Sequence, residues 1–253
     1  MPIYMGFPGF AGASVERVDF PKLLSQLEGP AGSRNPACVL VRLQKDDAQL
    51  KLARWMRSLA YRADVAVVEL SLPLTAADVL HRALALLPRN LPADKALAMV
   101  QELRRYLVCQ AFIDSVAALP KNVSIVKQLS GYLPGTWFHV DGEHTERVSG
   151  LKEIPARLQA GPPAASQVVV LNRSDDPGVD QWFGRAAFLD RESAPPRDYW
   201  GARRWVEWAY LTQDPRVLFA QLEAARLPRC FNCERIRMNG VCMFCGAGQK
   251  EAV

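Results

Sequence analysis

Cys230-Phe231-Asn232-Cys233-Glu234-Arg235-Ile236-Arg237-Met238-Asn239-Gly240-Val241-Cys242-Met243-Phe244-Cys245 decides how the C-terminal part of this 253-residue chain folds. Four cysteines fall in two CxxC pairs with eight residues between them. Two residues between paired cysteines let a tight turn aim both thiolates at one ion, at a Zn–S distance of about 2.3 Å. Between the pairs, Asn239-Gly240 is a turn signal flanked by short extended stretches, the way a ribbon folds back on itself. Gly246 follows the second pair, where a knuckle needs positive φ or a close backbone approach. A redox dithiol would place one CxxC beside a βαβ unit. Two pairs at this spacing instead predict a zinc ribbon with Cys230, Cys233, Cys242 and Cys245 as ligands. Four thiolates leave no open coordination position, so the Zn²⁺ is expected to be structural.

The spacing resembles the short zinc ribbons of many proteins, including the C-terminal zinc finger of tRNA-thiolating enzymes of the ATP-pyrophosphatase type. The resemblance covers the sixteen residues Cys230 to Cys245. In that family a glycine-rich Ser-Gly-Gly-x-Asp-Ser loop follows the first strand. Here Arg42-Leu43-Gln44-Lys45-Asp46-Asp47 stands in its place and keeps only the acidic residue at Asp46. Without glycines the backbone cannot form the same anion-binding nest.

Moving outward, Asp214-Pro215 is an N-cap followed by proline at the first helical position, which starts a last helix running to Arg226. Before it, Trp200, Trp205 and Trp208 with Val206, Ala209 and Leu211 predict a helix whose tryptophans, beside Arg203 and Arg204, would form either core anchors or stacking platforms for bases. Trp137-Phe138-His139-Val140-Asp141-Gly142-Glu143-His144-Thr145 reads as a hairpin turning at Asp-Gly. That register pairs His139 with His144 near Asp141, Glu143 and Glu146, so a second metal site or acid/base centre competes there with a solvated hairpin.

Further back, Cys38-Val39-Leu40-Val41 and Val65-Ala66-Val67-Val68 are short apolar runs suited to strands buried on both faces. Val123–Val126 and Val168–Leu171 are further strand candidates. Asp46 to Arg62 has helical periodicity, Thr75 with Asp78 opens a helix through Leu87, and a longer helix is expected from Ala93 to Leu119. This alternation predicts an α/β, three-layer domain with a mainly parallel sheet. The expected divisions are an N-terminal arm (1–36, Gly/Pro-rich with a short helix near Phe20–Leu27), an α/β domain (37–196), a helical segment (197–226) and a zinc ribbon (227–253).

Hydrophobic residues make up 49% of the chain, ample for a core. No stretch approaches the ~18 apolar residues that span a bilayer, and no basic-then-apolar leader opens the chain. Cys38 and Cys109 stand alone in apolar surroundings, which suits a reducing compartment; a cytoplasmic protein is expected, nuclear if eukaryotic. The formal net charge is +5, and residues 197–253 carry nine Lys+Arg against six Asp+Glu. Arg229, Arg235, Arg237 and Lys250 surround the cysteines.

No GxSxG elbow, Walker loop, HExxH or kinase signature is present, which argues against an ordinary hydrolase or phosphotransferase. Because nothing cradles phosphates and Mg²⁺, no ATPase or GTPase activity is expected. The leading expectation is therefore a non-catalytic zinc-ribbon subunit or adaptor of a nucleic-acid-handling complex. Its partners would be other protein subunits and RNA or DNA, with Arg229, Arg235, Arg237, Arg203 and Arg204 at the phosphates. One alternative is a nucleotide- or RNA-modifying enzyme with its pocket at the carboxyl ends of the strands, near Asp46, Asp47 and Glu69. The other is a protein-interaction scaffold without nucleic-acid contact.

Overall fold

The computed structural model describes residues 72–88, 91–116, 119, 136–142, 144–159, 167–190, 199–237, 242, 244 and 245, and the backbone of the strands at 3–6, 37–42 and 65–70. The expectations at Phe20–Leu27, Asp46–Arg62, Val123–Val126, Gly246 and Lys250, and for the side chain of Glu69, lie outside these residues.

The chain divides into two units. The first comprises residues 1–71, 81–105 and 215–253, and the second 72–80 and 106–214. The first holds a three-stranded sheet of β1 (Ile3–Gly6), β2 (Ala37–Arg42) and β3 (Val65–Leu70). There β2 pairs in parallel with β3, whereas β1 pairs antiparallel with β2, matching Met5 to Val39.

Between the sheets in sequence come helices α1 (Leu74–Ala85) and α2 (Ala93–Arg105). The first begins one residue before the expected start at Thr75. The second ends at Arg105 and does not continue to Leu119, because Leu107–Ile113 is strand β4. That heptad, Leu-Val-Cys-Gln-Ala-Phe-Ile, pairs on both sides, and a central strand gains two ladders where a helix extension would gain none.

The second unit carries a six-stranded sheet in the order β6-β5-β4-β9-β7-β8, where β5 is Trp137–Asp141, β6 His144–Val148, β7 Val169–Asn172, β8 Ala187–Phe188 and β9 Trp205–Leu211. All its pairings are antiparallel except β7 with β8. The expectation of a mainly parallel sheet therefore fails. Short apolar runs show that a strand is buried without showing its direction, and hairpin and meander connections allow antiparallel neighbours.

The largest local correction falls on 205–211, expected as helix and found as β9. The run Trp-Val-Glu-Trp-Ala-Tyr-Leu places tryptophans three apart, which satisfies a helical period, but every residue is buried. A strand between two partners buries both of its faces, and β-branched and aromatic residues favour it. Trp205 packs on one face with Ala111, Ile113, Phe138 and Leu171. Val206, Trp208 and Tyr210 pack on the other with Phe112, Val170 and Phe183.

The hairpin forms, but its register is shifted. Asp141 pairs with His144 and His139 with Glu146, so the turn falls after Asp141, with Gly142 at φ 53°. The expected pairing of His139 with His144 does not occur: the flanking strands pair so that the turn lies one residue later, and Gly142 still takes the positive φ there.

A short helix α3 (Ile154–Gln159) follows β6, and α4 (Pro215–Ala224) starts at Pro215 as expected, burying Leu218 and Leu222. Within the first unit α2 lies against α4 and β2, and a Lys95 Nζ to Glu223 Oε1 ion pair of 2.6 Å joins the two helices. No helix among the described residues is long and apolar enough to cross a membrane.

Candidate metal centre and buried polar groups

Six residues beyond the end of α4 the chain enters the first cysteine pair. Cys230 N–H donates to the Arg235 carbonyl at 2.8 Å and Glu234 N–H to the Cys230 carbonyl at 2.9 Å, which closes the turn that carries Cys233. Glu234 takes positive φ, 59°, to let the chain turn back. Asn232 N–H donates to Cys230 Sγ at 3.4 Å, the usual device for stabilising a thiolate.

Cys230 Sγ lies 3.6 Å from Cys245 Sγ, and Cys233 Sγ 3.5 Å from Cys242 Sγ. All four sulfurs fall within 4.8 Å of one another. A tetrahedron with Zn–S bonds of 2.3 Å has sulfur–sulfur edges of about 3.8 Å, so the four residues fit one ion. Burial, eased by the Arg235 backbone N–H and reinforced by the neighbouring thiols, pushes Cys233 up to about 12. A metal ion takes cysteine as thiolate, so binding one here would release protons. These four are the one group among the described residues in which three or more His, Cys, Asp or Glu could hold a metal. Among the described residues the hairpin histidines join no such group, His139 being buried and His144 exposed.

The arginines expected at phosphates make these contacts within the chain. Arg229 donates through its guanidinium to the Glu234 carbonyl at 2.9 Å, across the knuckle. The Arg235 guanidinium lies 4.6 Å over the ring of Phe244, a buried residue of the second pair, and so joins the two knuckles. Arg237 is half-buried and donates its N–H to the Pro228 carbonyl at 2.8 Å. In the second unit Arg204 pairs with Asp114 at 3.2 Å and lies 5.5 Å over the Trp137 ring, while Arg203 N–H donates to the same Asp114 at 3.1 Å. Trp200, Trp205 and Trp208 are all buried, which removes them as stacking platforms.

A group the sequence reading passed over lies on β9. Glu207 is 1% exposed. One carboxylate oxygen accepts from Thr75 N–H in the first turn of α1 at 3.1 Å, and the other accepts from the Trp200 indole N–H. A negative charge at a helix N-terminus is favourable, and two N–H donors offset much of its desolvation. Burial, and after it the Glu207 charge, push the Cys109 thiol on β4 well above its ordinary range, so it stays protonated and inert. A lone acid inside an apolar run was the available signal.

On the other face His139 packs between Phe112, 5.1 Å away, and Trp208, stacked at 6.4 Å. Its Nδ1 is 3.3 Å from Glu146 Oε1, and Arg157 closes on the same carboxylate. Its Nε2 is buried without a hydrogen-bond partner. Burial pushes the imidazole below its ordinary 6.5; Glu146 pulls the other way and Arg157 reinforces burial. With the folded-state value depressed, the unfolded chain takes up the proton first as pH falls. Stability from this residue is complete above 6.5 and declines as pH drops through it. A His139→Phe variant is therefore expected to lose less stability than wild type between pH 7 and pH 5 in urea titrations. Parallel pH slopes would assign the dependence to other groups.

No family model matches the chain, and no curated protein matches it. Among solved structures, a DegV family protein from Corynebacterium glutamicum superimposes with a TM-score of 0.51 at 10% identity, over 83% of this chain and 86% of its own. The Streptococcus pneumoniae fatty acid kinase B3 protein, loaded with linoleic acid, does so with a TM-score of 0.50 at 11% identity, over 84% and 90%. At such identity the likeness shows the fold. It overturns the expectation of a zinc-ribbon subunit of a nucleic-acid-handling complex, with its RNA, DNA and subunit partners: the body has the fold of a protein loaded with a fatty acid, and the expected stacking residues are buried.

Proposed function

We propose that this chain is a binding protein for a long-chain acyl lipid whose C-terminal segment is held by a structural zinc ion. The observation that carries the lipid reading is the fold shared with the linoleate-loaded pneumococcal protein over most of both chains. The analogy is one of fold, so it names a ligand class and no single acid. Zinc is the ion best matched to four thiolates in a closed tetrahedral set, since soft ligands and full coordination suit a d¹⁰ ion without redox chemistry. Binding, and not turnover, is the activity assigned.

Protein purified without lipid stripping is expected to release a C14–C18 acid on solvent extraction, identified by mass spectrometry. After stripping, linoleic acid at a hundred times its Kd should stabilise the protein by about 2.7 kcal/mol in thermal melts. No copurifying acid together with unshifted melts across that chain-length range would defeat the lipid reading. Elemental analysis is expected to give one zinc per chain whether or not lipid binds, so the two parts of the proposal are tested separately.

A further inference from the structure

Asp94 stands in the first turn of α2, and its two carboxylate oxygens do different things. Oδ1 accepts from the Lys95 N–H at 3.0 Å, within its own helix. Oδ2 accepts from the Ile236 N–H at 3.1 Å, three residues after Cys233. Ile236 is buried and is bridged in antiparallel fashion to Arg229, the residue before Cys230. The Asp94 bond therefore grips the backbone that carries the first pair of ligands.

The same helix holds the other end of that segment. Lys95, next to Asp94, pairs with Glu223 on α4, and α4 runs through 225–229 into Cys230. Helix α2, helix α4 and the first knuckle thus form a closed circuit. An amide clamped by a carboxylate cannot rotate freely, and the turn it belongs to sets where Cys230 and Cys233 point. An ion held by the four sulfurs would fix the same turn that presents Ile236 N–H to Asp94.

We propose that Asp94 is the positioning residue of the metal centre, and that metal binding and ordering of the α2 N-terminus are thereby coupled. The proposal rests on the reading of the four cysteines as a metal site. By linkage the coupling is reciprocal: whatever Asp94 adds to metal affinity, the metal adds to the order of that turn.

The test is a titration of the full chain with Co²⁺, read by thiolate charge-transfer absorbance, and with Zn²⁺ against a chromophoric chelator. Asp94→Ala is expected to weaken Zn²⁺ binding by about tenfold or more, the range for a hydrogen bond to a charged group. Asp94→Asn, which keeps an acceptor oxygen, should recover most of it. Glu102→Ala, on the same helix and paired with Arg105, should leave it unchanged. A residue that merely capped α2 would lower the melting temperature in Asp94→Ala and leave metal affinity as in wild type; that outcome overturns the proposal. Should Asp94→Ala fail to fold, hydrogen exchange on wild type decides: chelation should speed exchange at residues 95–97 as well as at 236, and faster exchange at 236 alone would refute the coupling. Absence of a Co²⁺ spectrum in wild type would instead refute the metal site itself.

Discussion

Cys242→Ser is expected to abolish stoichiometric zinc and to release residues from about Leu227 onward while the α/β body stays folded. Metal binding in isolated zinc-finger peptides is worth about 10–16 kcal/mol at neutral pH, so losing one of four thiolates removes the main term holding a small module. Of the residues described beyond 227, Cys230, Ile236, Cys242 and Phe244 are the buried ones, and two of these four are cysteines of the cluster. What remains is too small an apolar set to order the segment. The body keeps its own contacts: Leu218 and Leu222 still seat α4, and the six-stranded sheet is untouched. Elemental analysis gives the stoichiometry, and hydrogen exchange shows whether the loss stops near 227. Full zinc retention, or collapse of the whole chain, would contradict the expectation.

Glu207→Ala should be the most damaging single change in the second unit. It strips the acceptor from two buried donors, the Thr75 N–H and the Trp200 indole, each costing about 1–3 kcal/mol when unsatisfied, and leaves a void in a central strand. A loss of about 3–5 kcal/mol follows, matching what breaking a buried charged contact typically costs. At about 2–4 °C per kcal/mol for a chain of this size, the melting point should fall by roughly 10 °C. Glu207→Gln retains one acceptor but turns an amide NH₂ toward a donor, so its loss should lie between wild type and alanine. Urea unfolding of the three proteins measures this directly. Equal midpoints would mean that the carboxylate is solvated and adds nothing.

The gathering of Cys230, Cys233, Cys242 and Cys245 was legible from spacing, because two CxxC pairs in a sixteen-residue stretch can converge without a distant partner. The helix at Pro215 and the Asp-Gly hairpin were legible for the same reason: proline at a first turn and glycine at positive φ are local constraints. The one-residue shift at the turn shows the limit of such signals. A turn centred on Asp141-Gly142 and one beginning at Gly142 both accommodate the glycine, and the choice falls to the pairing of the flanking strands.

Direction and partnership of strands were decided by the tertiary structure. An apolar heptad such as Trp205–Leu211 satisfies a helical stripe and a doubly buried strand alike, and only the presence of β4 and β7 on either side selects the strand. The same holds for charge. Arg204, Arg229 and Arg235 read in sequence as a basic surface, yet each meets a carboxylate, a carbonyl or an aromatic ring that lies elsewhere in the chain. Glu207 and Asp94 each reach a partner far along the chain, Thr75 and Ile236, 132 and 142 positions away. Sequence by itself determined what depends on neighbours along the chain: four cysteines brought together, a proline-started helix and a glycine turn. The tertiary structure alone decided what depends on desolvation, since a buried carboxylate or a paired arginine is defined by the partner that replaces water.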